Sequence, residues 1–141
     1  MEFPIATALL AAFLIVLQQS LMFTAGMHRA KTGIGVGVGD DQHLERKVRR
    51  HGNLAENAAI LLLVLGMLEL AGAPSAVVAS FAVAFGAARV MHALGFGHLD
   101  GSHNPGGGKF WIVMRAGGAT LTGIGGIGLG IYLAYFLFTN M

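Results

Sequence analysis

The chain has 141 residues, of which 55% are hydrophobic and only 11% charged, with a net charge of +2 and a mean hydropathy of +0.67. A soluble domain carries roughly 25% charged residues, so these figures exclude an ordinary soluble domain and a disordered chain, and the small net charge argues against a nucleic-acid binder. The lack of cysteine excludes a disulfide scaffold, a protein thiolate nucleophile and a thiolate metal site.

No charged residue lies between Glu2 and Arg29. A helix that crosses a bilayer needs about 20 mainly apolar residues, and a first helix over about 3–27 meets that need. The segment has no basic leading region and no small-residue cleavage site, so it does not read as a signal peptide. The loop that follows contains Gly33-Ile34-Gly35-Val36-Gly37-Val38-Gly39-Asp40. It lacks the Gly-Lys-Ser/Thr ending and the preceding strand of a phosphate-binding loop, and reads as a flexible turn.

A second helix is expected over about 43–72, apolar from Leu54 onward apart from Glu56, Asn57 and Glu69. The link Gly72-Ala73-Pro74-Ser75 pairs a helix-ending glycine with a helix-starting proline. So short a link makes the flanking helices antiparallel neighbours. The third helix, 75–97, is apolar until Arg89 and His92. In the next loop His98, Asp100 and His103 flank Asn104-Pro105-Gly106-Gly107-Gly108. Their irregular spacing reads as a solvated loop rather than a metal site. The fourth helix, about 109–138, has no charge after Arg115 and ends with Tyr132 and Tyr135, which suit an interfacial belt. Its Gly117, Gly118, Gly123, Gly125, Gly126, Gly128 and Gly130 are expected to let another helix approach closely, within or between subunits.

The fold class is therefore an all-α integral membrane protein, a bundle of four transmembrane helices read as one domain over 1–141. Arg29, Lys31, Arg46, Lys47, Arg49, Arg50 and Lys109 flank two of the loops, whereas the other ends carry no lysine or arginine. The positive-inside rule then places loops 28–45 and 98–109 in the cytoplasm and both termini outside.

Ionisable residues within the hydrocarbon layer are costly and mark functional positions facing the bundle interior. Four qualify: Glu56, Glu69, Arg89 and Arg115. At about 1.5 Å per residue, Glu56, Arg89 and Arg115 fall at a similar depth in the cytoplasmic half. Glu69, one turn from Gly72, is expected to snorkel to the opposite interface. Arg46, Arg49, Asn53 and Glu56 stand at i, i+3, i+7 and i+10 on one face, and Arg89, His92 and Phe96 do the same on the third helix. A purely structural expectation is that Glu56 pairs with Arg89 or Arg115. The surplus of positive charge then calls for an anionic ligand. Asn53 suits a ligand amide or a contact that locks Arg49. For His92, hydrogen-bonded packing, a ligand contact, and haem or metal binding all stay open.

The run Leu44-Glu45-Arg46-Lys47-Val48-Arg49-Arg50-His51-Gly52-Asn53-Leu54-Ala55-Glu56-Asn57 resembles the signature of the MAPEG superfamily, membrane-associated proteins in eicosanoid and glutathione metabolism. Arg49, His51, Asn53 and Glu56 carry the signature spacing. Similarity continues through Arg89-Val90-Met91-His92-Ala93-Leu94-Gly95-Phe96, and the loop ending in Gly39-Asp40 resembles the bacterial YecN-like branch, which implies a bacterial inner membrane. The resemblance implies a homotrimer binding glutathione as co-substrate between subunits, with no metal. It implies that Arg46, Arg49, His51, Asn53, Glu56, Arg89 and His92 form the glutathione site and that Arg115 stabilises the glutathione thiolate. The implied activity is a transferase or peroxidase acting on lipophilic electrophiles or hydroperoxides that arrive from the lipid bilayer. Two positions depart from the pattern: Phe96 stands where several members have tyrosine, and Gly52 where some have arginine. The alternative is a non-enzymatic membrane protein that binds a lipid or anionic ligand, or a trimeric scaffold.

Overall fold

A computed structural model describes residues 3–103 and 108–140. Residues 104–107, the Asn-Pro-Gly-Gly part of the loop that reads as solvated rather than metal-binding, lie outside the described residues, as do the extreme terminal residues. Among the described residues the chain forms four α-helices, α1 (Ile5–Thr32), α2 (Gln42–Leu70), α3 (Ser75–Gly97) and α4 (Lys109–Asn140), with one 3-10 turn at Leu99–Gly101. All four are long and apolar enough to cross a membrane. No strand occurs among the described residues.

The helix ends follow from local chemistry. Helix α1 runs five residues beyond its expected end because the polar stretch to Thr32 still hydrogen-bonds helically; it stops at Gly33, whose φ of 72° is left-handed. Asp41 caps α2, its carboxylate accepting the N–H groups of His43 and Leu44 at 2.9 and 3.0 Å. Helix α2 ends two residues early, at Leu70, because Gly72 adopts φ 83° and the N–H groups of Gly72 and Ala73 turn back onto Glu69 and Leu68. Pro74 then starts α3.

The start of α1 corrects one expectation. Pro4 offers no side-chain cap. Glu69 supplies it from α2, accepting the N–H of Ala6 at 2.9 Å, the N–H of Thr7 at 2.9 Å and the Thr7 hydroxyl at 2.7 Å. Glu69 therefore does not snorkel free; it turns sideways to satisfy donors that no residue of α1 can satisfy. The same contact sets the end of α2 beside the start of α1, so the two helices are antiparallel.

The glycine loop is also more ordered than a flexible turn. Nη1 of Arg29 donates to the carbonyls of Ile34, Gly35 and Gly37 at 3.0, 3.3 and 2.8 Å. This gathers the loop around one guanidinium, with Gly33, Gly37 and Gly39 taking the positive φ values that the tight path needs.

Leucines from α1 and α2 dominate the core (Leu10, Leu14, Leu21, Leu54, Leu61, Leu65 and Leu68), joined by Val78 and Phe85 of α3. Leu129 is the one α4 residue in that cluster. Only 11% of the most apolar stretch of α4 is buried, against 44% in α3, so α4 leans on α3 and leaves most of its surface open. Where α3 and α4 meet they meet closely. A Cβ on Gly118 would lie 2.5 Å from the His92 nitrogen and 2.6 Å from the Ala88 oxygen. Gly95 is as tightly placed, a Cβ there lying 2.7 Å from the Trp111 carbonyl. Small residues thus draw two membrane helices to backbone contact, where dispersion rather than water exclusion holds them. Gly123, Gly125 and Gly130 face open space instead. The close-packing role of the glycines is concentrated at one crossing.

Candidate functional site

The basic ends of α2, α3 and α4 converge at one end of the bundle. Arg46 reaches inward and is 8% exposed. Its Nη1 donates to the Gly97 carbonyl at 2.6 Å and its Nη2 lies 2.6 Å from His43 Nδ1. Arg50 donates to the Thr24 hydroxyl at 3.2 Å and comes up against Gly97. Arg46 therefore caps the last carbonyl of α3, with the Arg50 guanidinium beside Gly97, at an end where the helix dipole favours positive charge.

Deeper in the bundle Arg89 is 2% exposed. Its Nη1 donates to the Thr122 hydroxyl at 3.3 Å, and its Nη2 lies 3.3 Å from Nδ1 of buried His92. Thr122 donates in turn to the Gly118 carbonyl at 2.8 Å. The His92 ring lies 5.5 Å from that of Phe96, and the Arg115 guanidinium sits 5.5 Å above the same Phe96 ring. Arg89, His92, Phe96 and Arg115 thus form one connected group across the α3–α4 crossing. Thr122 escaped sequence reasoning, although Arg115, Gly118 and Thr122 stand at i, i+3 and i+7 on α4, a signal that places the hydroxyl on the arginine's face.

The polar face of α2 points elsewhere. Arg49 and Glu56 are exposed, and His51 and Asn53 half-buried. Asn53 Nδ2 donates to the Arg49 carbonyl at 3.0 Å, and Asn57 Nδ2 to the Asn53 carbonyl at 2.8 Å. The expected pairing of Glu56 with Arg89 or Arg115 does not form: among the described residues no salt bridge joins them. Glu56 projects outward from α2, while Arg89 is turned toward α4. The anionic balance for the buried arginines is therefore not supplied by Glu56 of the same chain.

The loops around this end are held by histidine contacts. His28 Nε2 lies 2.7 Å from Asp41, and Lys47 Nζ lies 2.8 Å from His28 Nδ1. With Lys47 donating to Nδ1, the Nε2–H donates to the Asp41 carboxylate. That bond, with the Leu44 N–H, holds the Asp41 pKa down to about 2 from an ordinary 3.8. His103 lies 3.0 Å from Glu45, and His98 stacks on Trp111 with ring centroids 4.7 Å apart. His98 and His103 are thus engaged with separate partners, and among the described residues no group of three histidine or carboxylate side chains is placed to hold a metal ion.

Neither a curated protein nor a solved structure matches the chain. The model of the MAPEG family matches residues 7–130, which take in α2 and α3 whole, most of α1 and α4, and every side chain of the polar site described above. With four helices of spanning length, the chain is an integral membrane protein and belongs to the MAPEG family, a family of glutathione-related membrane transferases and peroxidases.

Proposed function

We propose that the protein is a membrane-embedded, glutathione-dependent transferase or peroxidase that acts as a homotrimer on lipophilic electrophiles or hydroperoxides. The observation that carries this reading is the outward direction of Glu56 on a membrane-spanning helix, with exposed Arg49 two turns nearer the basic end of the same helix. Charges facing hydrocarbon are costly, so this face calls for a protein neighbour and a polar ligand rather than lipid. Glutathione has carboxylates for arginines, an amine for Glu56 and amides for Asn53. In this reading a second copy covers the face, and Arg46 and His51 border the site. Arg89 and His92 back it from within the bundle.

Arg115 supplies the chemistry. Its one described contact is the Phe96 ring, and no carboxylate pairs with it among the described residues. A thiol with an ordinary pKa of about 8.5 is mostly protonated at neutral pH, and an adjacent guanidinium favours the thiolate. The chain has no cysteine, so the sulfur arrives with the substrate. The thiolate then attacks the electrophilic carbon and displaces its leaving group, or attacks the peroxide oxygen and breaks the O–O bond, giving glutathione sulfenic acid and an alkoxide that takes up a proton. Phe96 offers no phenolic proton, so a proton needed by the leaving group comes from a donor other than residue 96. Loops 28–45 and 98–109 face the cytoplasm and both termini face outward, in a bacterial inner membrane, where cytosolic glutathione meets the site.

Thermal unfolding of the purified protein with millimolar glutathione tests binding. A ligand at 100 times its Kd stabilises by about 2.7 kcal/mol, a readily measured rise in midpoint. No rise refutes the reading. Thiolate absorbance then reports activation, and Arg115→Ala abolishes it; an unchanged signal removes Arg115 from the chemistry. Binding without any thiolate signal in the unaltered protein favours the second reading, a non-enzymatic binding protein, which the apolar Phe96 beneath Arg115 supports.

A further inference from the structure

The opposite end of the bundle carries a groove that the glutathione reading does not use. Two cavities lie between α1 and α3. One, of about 360 Å³, is walled by Leu9, Leu10 and Phe13 on α1 and by Ala79, Ala82 and Gly86 on α3. The other, of about 470 Å³, continues from Ala6, Leu9 and Ala79 to a mouth that holds Glu69 and Ser75. Their shared residues make them one groove, apolar along its length and polar at its end.

The dimensions and the charge both narrow the occupant. Ser75 and Gly86 stand eleven positions apart on α3, about 16 Å at the rise of a helix, close to half of a hydrocarbon core about 30 Å thick. The groove is thus as deep as one leaflet. A second copy's helix would cross the whole thickness and fit it poorly, whereas one acyl chain is matched to it. At the mouth, Glu69 accepts two backbone N–H groups and one hydroxyl. Oε1 accepts only one of these and keeps a free lone pair. None of the nine lysines and arginines lies at this end, and no cation pairs with Glu69 among the described residues. A carboxylate at the head-group level, over a channel one leaflet deep, is complementary to a donor ammonium on a lipid.

We propose that the α1–α3 groove binds one acyl chain of a phospholipid whose primary ammonium head group meets Glu69. A quaternary head group has no N–H to offer Oε1, and an anionic one is repelled by Glu69. The full-length protein is reconstituted in nanodiscs containing equal parts dioleoyl phosphatidylethanolamine, phosphatidylcholine and phosphatidylglycerol, released into mild detergent and weighed by native mass spectrometry. One phosphatidylethanolamine should remain per chain, at least about fivefold over either other lipid. Ala79→Phe, which fills the groove from an exposed position, should remove that adduct, and Glu69→Gln should lower it to the level of phosphatidylcholine. If Ala79→Phe fails to fold, Val83→Trp tests the same loss from the neighbouring exposed position. Equal retention of the three lipids, no retained lipid, or an adduct that survives the bulky variant overturns the proposal. So does efficient oxidative cross-linking of Ala79→Cys chains to each other, because it would show the groove covered by a second copy.

Discussion

Adding one methyl group to Gly118 should damage the protein far more than its size suggests. The new Cβ would stand 2.5 Å from the His92 nitrogen, 2.6 Å from the Ala88 oxygen and 2.9 Å from the His92 Cβ, where ordinary contact begins near 3.4 Å. Two of the three obstacles are backbone, so no side-chain rotation relieves the overlap, and α3 and α4 must part by about 1 Å at their crossing. Overpacking of this kind costs about 1–3 kcal/mol. The Arg89–Thr122 hydrogen bond spans the same crossing and is already 3.3 Å long, so parting the helices breaks it and strands a buried charged donor at a further cost of about 1–3 kcal/mol. Gly118→Ala should therefore lose about 2–6 kcal/mol. Gly123→Ala is the internal control. It lies on the same helix with nothing within 4 Å, and relief from glycine's conformational entropy should leave it unchanged or raise it by about 0.5–1 kcal/mol. Denaturant unfolding in a single detergent, followed by circular dichroism, compares the two. If Gly118→Ala matches the parent protein, or falls no further than Gly123→Ala, the close crossing is not what holds α3 to α4.

Three further perturbations report on the polar contacts at the helix ends. Glu69→Ala should release the amides of Ala6 and Thr7 and cost about 1–2 kcal/mol; their hydrogen exchange should accelerate ahead of the rest of α1, and unchanged exchange would show that α1 needs no such cap. Asp41 titrates lower when folded, at about 2 against 3.8, so its contribution is full above pH about 4 and is lost as pH falls through 2. The stability gap between the parent and Asp41→Asn should shrink over that window in urea unfolding, and a gap that widens toward low pH would reverse the assigned sign. Arg29→Ala frees the carbonyls of Ile34, Gly35 and Gly37. The loop should lose about 1 kcal/mol of local stability, roughly fivefold in elastase cleavage at Val36 and Val38; equal cleavage rates would mean that Arg29 does not order the loop.

The helices were legible because long uncharged runs have few physical outcomes, and the α3 boundaries emerged as expected because Pro74 and the polar residues after Gly97 bracket them. What could not be read was contact made from the side. Nothing in the order of residues tells that Glu69 finishes a helix begun sixty-odd positions earlier, or that Arg29 binds the loop just after it. Both contacts depend on donors and acceptors left over at helix ends, which become visible only when the ends are brought together.

The polar face of α2 shows the limit in angular terms. Helix geometry sets successive residues about 100° apart, so Arg46 and Asn53 lie within about 20° of each other, as do Arg49 and Glu56, with members of the two pairs separated by about 40–80°. One face by spacing is therefore a sector wide enough to straddle the edge of the buried surface. The edge does fall inside it: Arg46 is buried against α3 and Asn53 half-buried, while Arg49 and Glu56 are exposed. Depth along the membrane can be counted from residues, which is why the sequence suggests a similar level for Glu56, Arg89 and Arg115. Whether they face one another depends on helix rotation, and rotation is set by packing. Here the leucines at 54, 61, 65 and 68 claim the inward side of α2, which turns Glu56 away from the arginines. A charge balance summed within one chain thus pairs Glu56 with neither Arg89 nor Arg115 among the described residues.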